Sequence, residues 1–497
     1  MVASNALAAN AAFFASLEAL LQEPDLSPED AQVIIQIATY FALRRETGFY
    51  SSAVLEASFL VQAASFPSLS VPMAEGTLCV MTQAHSEGGH PQMVLRMAQL
   101  LKNYAPYSLV LTGQEHKPLP ASIRAAFESS GGTVTLLPSG LSVFEKGRML
   151  REHGMMRERV MLATHMDDAS PIVAFGHPDF PRPVFLFNHA DFLFWIGRSV
   201  CDAVLEYRAL GQEISRCYRG EPAAWRVPLP FEQLPASAED KQTVRTRLGL
   251  PVGRSILLTV GSSYKFTPIG TFDFRLLLKE LFCRIPDSHH VIIGPSPSDP
   301  FWKKEVSNYA GRLHVMGIVQ REQLPPWIKA ADLYVDSMPF CGGIAVLDAV
   351  QLGLPVAGLE TLGCPMGFIR ESGMLFESIA ELIRAIAPLL SDEHSRITLH
   401  EKQFLLAERE HSLQNWGAKL QEAVNSVRRH SVTQGWKRDS ACTEYEEFKN
   451  HLLSSMTRFP TLRLLAKIVL LTRKMNSLPL QKAIVGSLVK QVLHGLR

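Results

Sequence analysis

The stretch Tyr334-Val335-Asp336-Ser337-Met338-Pro339-Phe340-Cys341-Gly342-Gly343-Ile344-Ala345-Val346-Leu347-Asp348-Ala349-Val350-Gln351-Leu352-Gly353-Leu354-Pro355-Val356 decides the fold. It reads as a buried strand, a glycine turn, a short helix carrying an acid, and a Gly-x-Pro lead into another strand. Glycines let a backbone approach a ligand closely, and the helix start behind them favours an anion. Asp348 lies on the expected helix, where its carboxylate would accept hydrogen bonds from hydroxyls. The plainer role for such an acid is to interact with the helix dipole. A ligand with a diphosphate beside a ribose would satisfy both the turn and the acid.

Outward from this stretch the same alternation recurs. Towards the N-terminus, the segments 254–260, 289–294, 313–317 and 331–336 read as strands, with helices over 272–284 and 321–330 between them. Beyond a linker rich in proline, alanine and acid (Pro228 to Asp240), a second series appears. Its apolar runs are 77–81, 107–112, 133–137, 158–165 and 183–188, with helices over 93–103 and 121–129. Short buried strands alternating with helices predict parallel sheets covered on both faces. The expected fold class is α/β, two Rossmann-like domains facing a cleft, with an N-terminal helical segment and C-terminal helices. The expected boundaries are 1–72 (helical), 73–235 (first α/β domain), 241–425 (second α/β domain) and 426–497 (helical and basic). In the first segment, Asp25-Leu26-Ser27-Pro28-Glu29-Asp30 carries a cap and a proline suited to a helix start.

A chain of 497 residues suits two to three domains at roughly 150–200 residues each. The net charge of +1 argues against a surface adapted to nucleic acid. The seven cysteines are scattered without a Cys-x-x-Cys pair, so neither a disulfide framework nor a structural zinc site is expected. The apolar start, Met1 to Leu21, lacks a basic leader region and reads as an amphipathic helix. No run approaches the roughly 18–20 apolar residues of a membrane span. These features point to a cytoplasmic protein. From Phe448 onward there is no acidic residue, while Arg458, Arg463, Lys467, Arg473, Lys474, Lys482, Lys490 and Arg497 recur among aliphatic residues. Such a segment either packs on the protein with its cations in solvent or lies on an anionic membrane.

Three further places carry candidate chemistry, all just after expected strands. Gly88-Gly89-His90 follows the first strand and would let a phosphate or sugar approach the backbone, or serve as a plain turn. His165-Met166-Asp167-Asp168 and Asn188-His189-Ala190-Asp191 put imidazoles at strand ends, either for proton chemistry or as hydrogen-bonded loop residues. No His-x-x-x-His spacing supports a metal. Gly261-Ser262-Ser263-Tyr264-Lys265-Phe266 offers a lysine to neutralise a diphosphate and hydroxyls at Ser262 and Ser263 to bond it.

In this order the features resemble the GT-B glycosyltransferases, over about residues 76–420 at the level of architecture. The second half resembles the donor-binding domain of glycosyltransferase family 4 and the catalytic region of family 41, the O-GlcNAc transferase group. Asp336-Ser337-Met338-Pro339-Phe340 resembles the entrance motif of family 41. Gly343-Ile344-Ala345-Val346-Leu347-Asp348-Ala349 resembles the end of the family 4 acidic motif, with Asp348 where the ribose-binding Glu stands. Gly353-Leu354-Pro355-Val356 matches the ending of both. Phe340 stands where family 4 has its sugar-binding Glu, and Gly343-Ile344-Ala345 replaces the His-Thr-Thr of family 41.

The resemblance implies a metal-independent hexosyl- or N-acetylhexosaminyltransferase with no cofactor. Its donor would be a nucleoside-diphosphate sugar, a UDP-sugar foremost, and its acceptor a protein or an envelope glycan. Gly88, Gly89, Ser262, Ser263, Lys265, Phe340, Gly342, Gly343, Ile344 and Asp348 would bind the donor. His189, or else Asp191 or His165, would orient or deprotonate the acceptor hydroxyl. A nucleotide-sugar 2-epimerase of the same fold and a noncatalytic nucleotide-sugar-binding protein are the alternative readings.

Overall fold

The computed structural model describes residues 2–85, 89–101, 106–114, 118–221, 223–231, 237–268, 272–361, 366–430, 432 and 462–495. Gly88, Arg458, Arg497, Cys364 and Cys442 lie outside the described residues. The chain divides into two compact units, Met1–Val227 with Lys419–Arg497, and Pro228–Ala418.

The first unit is built on a wholly parallel sheet of seven strands, ordered β3-β2-β1-β4-β5-β6-β7. These are β1 (Thr77–Met81), β2 (Tyr107–Leu111), β3 (Val134–Leu136), β4 (Arg159–Ala163), β5 (Val184–Asn188), β6 (Ala203–Glu206) and β7 (Ala224–Arg226). In β1 the side chains alternate between two cores, as the pleat requires. Leu78 and Val80 join a large cluster on one side, and Cys79 and Met81 join a smaller one with Val94, Ala98, Ile123 and Phe127. The large cluster also takes in the N-terminal helices α1 (Val2–Leu20), α2 (Pro28–Ala42) and α3 (Ala53–Ala64), through Phe13, Phe14, Leu17, Ile34, Phe41, Leu55 and Phe59. Burying each such side chain stabilises by about 1.5–3 kcal/mol, so the helical preface is part of this domain's core. Ser27 caps α2 by accepting from the Asp30 N–H, and Pro28 fills the first helical turn.

The last described helices, Leu462–Thr472 and Leu478–Gly495, return to the same core. Leu464, Ile468, Met475, Ile484 and Leu488 are buried in the large cluster, while Lys467, Arg473, Lys474 and Lys482 are exposed. The apolar stripe of the basic tail therefore faces protein. Among the described residues, no helix is long and apolar enough to cross a membrane. Cys217 is disulfide-bonded, which the scatter of the cysteines did not foretell, whereas Cys79, Cys201, Cys283 and Cys341 are free.

The second unit has six parallel strands, ordered β10-β9-β8-β11-β12-β13. They are β8 (Ser255–Val260), β9 (Ser288–Ile293), β10 (Leu313–Val315), β11 (Leu333–Val335), β12 (Val356–Leu359) and β13 (Leu375–Phe376). Strand β8 runs in register with β9 from Ser255 opposite Ser288 to Val260 opposite Ile293, and β11 lies on its other side. Both sheets are thus α/β sheets whose strand order reverses, at β1/β4 in the first and at β8/β11 in the second. Ligands of such sheets bind beyond the carboxyl ends of the strands at the reversal.

Candidate functional site

In the second unit the reversal point joins two motifs that are far apart in sequence. The loop after β8 enters a short 3-10 turn, Ser263–Phe266, and the loop after β11 leads to the helix Ile344–Gln351. The Lys265 Nζ donates to the Cys341 carbonyl at 2.6 Å, and the Phe340 N–H donates to the Lys265 carbonyl at 3.4 Å. A cation is thereby held against the glycine turn. Ser262 and Ser263 are exposed beside it. The Tyr264 and Phe340 rings lie 6.1 Å apart between centroids, so an aromatic pair borders the same loop.

The turn is tied together from inside. Asp336 Oδ1 accepts from the N–H groups of Ser337 and Gly342, each at 2.7 Å, and Ser337 Oγ donates to the Phe340 carbonyl at 2.7 Å. The Gly342 N–H thus holds the turn closed, and the helix start at Gly343, Ile344 and Ala345 is half-buried beyond it. Gly342 has no room for a side chain. A Cβ there would sit 2.7 Å from Val346 Cγ2 and 2.8 Å from Asp336 Oδ1. Gly342→Ala is expected to destabilise by about 1–3 kcal/mol through overpacking. Chemical denaturation would expose an unaffected protein. At the far end of the helix, Gly353 adopts φ 92°, the left-handed conformation that ends helices and favours glycine.

Asp348 is fully buried, and its two oxygens accept from Arg321 at 2.7 and 3.0 Å in a two-pronged pair. Arg321 begins a 3-10 turn, Arg321–Gln323, after β10. The sequence reading assigned it only to a helix. Its signal was its place shortly after the β10 strand end, where side chains meet ligands. Planar guanidinium–carboxylate pairing of this kind fixes orientation as well as charge.

In the first unit the structure brings His165 and His189 together with a third histidine, His90. His90 opens the helix Gly89–Leu101, His165 follows β4 and His189 follows β5. The His90 and His189 rings stack with centroids 3.8 Å apart and planes 12° from parallel. Burial lowers the His189 pKa to about 4, assisted by the charge of His165 and opposed by a hydrogen bond to the Phe187 carbonyl. Burial, and then His189 and His165, hold His90 well below the ordinary histidine range. Both stacked rings are therefore neutral at pH 7. The Gly88-Gly89-His90 motif was read for its glycines, but its histidine is the residue that joins the cluster. Among the described residues, no three His, Cys, Asp or Glu side chains are arranged to hold a metal ion.

These depressed pKa values set a pH dependence. Between about pH 4 and the ordinary value of 6.5, the unfolded chain binds a proton at His189 that the folded chain does not. Stability therefore rises with pH through that window and is lost as pH falls through it. His189→Gln is expected to flatten this acid limb of the Tm–pH profile, and an unchanged slope would count against the assignment.

Asp191 belongs to another cluster. It is 1% exposed, its Oδ1 accepts from the Phe192 N–H, and its Oδ2 lies 3.9 Å from Arg208. Beside it Glu206, bonded by Asn188 and Ser215, is pushed up to about 7 by burial. Asp168 accepts from Thr82 and Thr112 and from the Ser170 N–H, so it braces the ends of β1, β2 and β4.

Comparison with known proteins extends this geometry. The family described as "Glycosyl transferases group 1" matches residues 256–392. A stretch of 181 residues is 26% identical to the trehalose synthase of Rubrobacter xylanophilus, covering 33% of this chain and 42% of that protein. The matched stretch thus spans less than half of that relative's length. Among solved structures, Anabaena HepE in complex with UDP and glucose is similar, with a TM-score of 0.53 and 14% identity, covering 70% of this chain and 99% of that one. The glycosyltransferase of Rickettsia africae has a TM-score of 0.54 and 12% identity, covering 71% and 98%. The fold is the one seen in GT-B glycosyltransferases, and the part of the chain that matches the glycosyltransferase group 1 model lies within the second unit.

Proposed function

We propose that this protein transfers a hexosyl or N-acetylhexosaminyl group from a nucleoside-diphosphate sugar, a UDP-sugar foremost, to an acceptor hydroxyl. The observation that carries the reading is the bond between Lys265 and the Cys341 carbonyl at the β8/β11 reversal. It sets an ammonium and a helix N-terminus together, and both favour a diphosphate. The resemblance of the turn to family 4 and family 41, and a solved relative of the same fold that holds UDP and glucose, support the same donor.

In the reaction the acceptor oxygen bonds to the anomeric carbon as the bond from that carbon to the diphosphate breaks. Negative charge grows on the departing diphosphate, where Lys265 and the N–H groups of Gly343 and Ile344 stabilise it without a metal ion. Asp348 is buried and held by Arg321, so it acts on the ribose side of the donor by orienting that guanidinium and not by direct contact. The neutral His189 imidazole orients the acceptor hydroxyl, takes its proton as the new bond forms and releases it to solvent, while the departing diphosphate keeps the electron pair of the broken bond.

Purified protein incubated with a panel of UDP-, GDP- and ADP-sugars tests the proposal. Binding of at least one, with nucleotide released in the presence of an acceptor, is the expected result. No binding of any would overturn it, and tight binding without turnover would favour a noncatalytic sensor.

A further inference from the structure

The first unit holds a cavity of about 640 Å³ that neither the donor motifs nor the histidine cluster accounts for. Its floor is the carboxyl edge of the sheet, at Thr82, Thr112 and the loop Asp167–Ser170. Its walls come from α2, from the start of the helix Val143–Met155, and from the helix Leu462–Thr472. The preface and the tail, which lie outside the resemblance, therefore enclose the strand ends of the unit's own sheet.

The chemistry of the lining is specific. Lys146 and Lys467 reach the cavity from two different helices, and among the described residues neither has a carboxylate within ion-pair distance. Asp168, the acid on the floor, is occupied by Thr82, Thr112 and Ser170, so it neutralises neither lysine. Thr39 also faces the space. It is 2% exposed and its Oγ1 has no hydrogen-bond partner. A buried hydroxyl left unbonded costs about 1–3 kcal/mol, which a bound polar molecule would recover. Gln32, Gln36, Tyr40 and the exposed Asp167 add amide, phenol and carboxylate groups suited to sugar hydroxyls. The volume falls within the ~300–1,000 Å³ of small-molecule sites.

We infer that this cavity binds a saccharide of one or two rings carrying a phosphate or a carboxylate, with Lys146 and Lys467 on the anion and Thr39, Gln36 and Asp167 on the hydroxyls. Thr82 connects the site to the histidine cluster. Its Oγ1 accepts from the His165 N–H at 2.9 Å while donating to Asp168 at 2.6 Å. On the glycosyltransferase reading above, this molecule is the acceptor; the binding site itself does not depend on that reading.

Calorimetry on the full chain tests it, with glucose 6-phosphate, glucuronate, glucose and inorganic phosphate as probes and UDP in a separate arm. An anionic sugar is expected to bind at least about tenfold more tightly than glucose or phosphate. Lys146→Ala and Lys467→Ala should each weaken it by about tenfold, while Lys482→Ala, exposed on the last helix, should leave it unchanged. UDP affinity should be the same in all variants. The inference is overturned if neither anionic sugar binds while UDP does, or if both lysine substitutions leave affinity intact. Loss of UDP binding with retained sugar binding would count against the donor reading and leave this site standing.

Discussion

Lys265→Ala is expected to lower the rate of sugar transfer by about 100- to 1,000-fold and to weaken UDP binding. The ammonium is fixed against the glycine turn by the Cys341 carbonyl, so no reorganisation is needed when charge develops on the leaving diphosphate. Lys265→Arg should recover only part of the activity, because a planar guanidinium cannot replace a compact point charge in this turn. The substitution leaves the fold intact, since Lys265 is only half-buried. Initial rates and UDP calorimetry on the two variants decide the matter: a Lys265→Ala protein that binds UDP as tightly as the parent would remove the lysine from the donor site.

Glu56→Leu is expected to destabilise the first unit by about 3–5 kcal/mol. Glu56 is fully buried on α3, and its two oxygens accept from the N–H groups of Gly197, Arg198 and Ser199 at 2.8, 3.1 and 2.9 Å, and also from the Ser199 hydroxyl. Burial raises its pKa, and the four hydrogen bonds oppose that rise. Leucine would fill the volume and strand three backbone donors in an apolar setting, which costs more than the bonds contributed. Glu56→Gln should cost less, because one acceptor oxygen survives. Urea denaturation monitored at the tryptophans would show the ordering, and a loss below about 1 kcal/mol for Glu56→Leu would contradict this account of the side chain.

Much of the sheet architecture was legible because its strands are short, apolar and followed by glycine or polar turns. β1 was read at Thr77–Met81 as it stands, and β2, β4, β5, β8, β9 and β10 differ only at their ends. The strands β6, β7 and β13 escaped for physical reasons. β6 ends in Glu206 and β7 in Arg226, charged residues that only tertiary partners make tolerable, and β13 is two residues long. The donor-side motifs could be named because turn glycines and a loop lysine carry local signals. Their joining at one reversal point depends on strand order, which no local pattern encodes. Arg321 and His90 were missed as site residues for the same reason, since each acquires its role from a partner that the fold supplies. The C-terminal segment illustrates the converse. Its cations were obvious in the sequence, whereas the partner of its apolar stripe was not, because a helix at a membrane and a helix on a core share one periodicity.

The return of Leu464, Ile468, Ile484 and Leu488 to a core begun by Phe13 and Phe14 also governs how the chain is made. During synthesis the whole of the second unit leaves the ribosome before the first has all of its hydrophobic residues. The second unit can therefore fold while the first still waits for its closing helices, and the first is the part most exposed to proteases and chaperones in the interval.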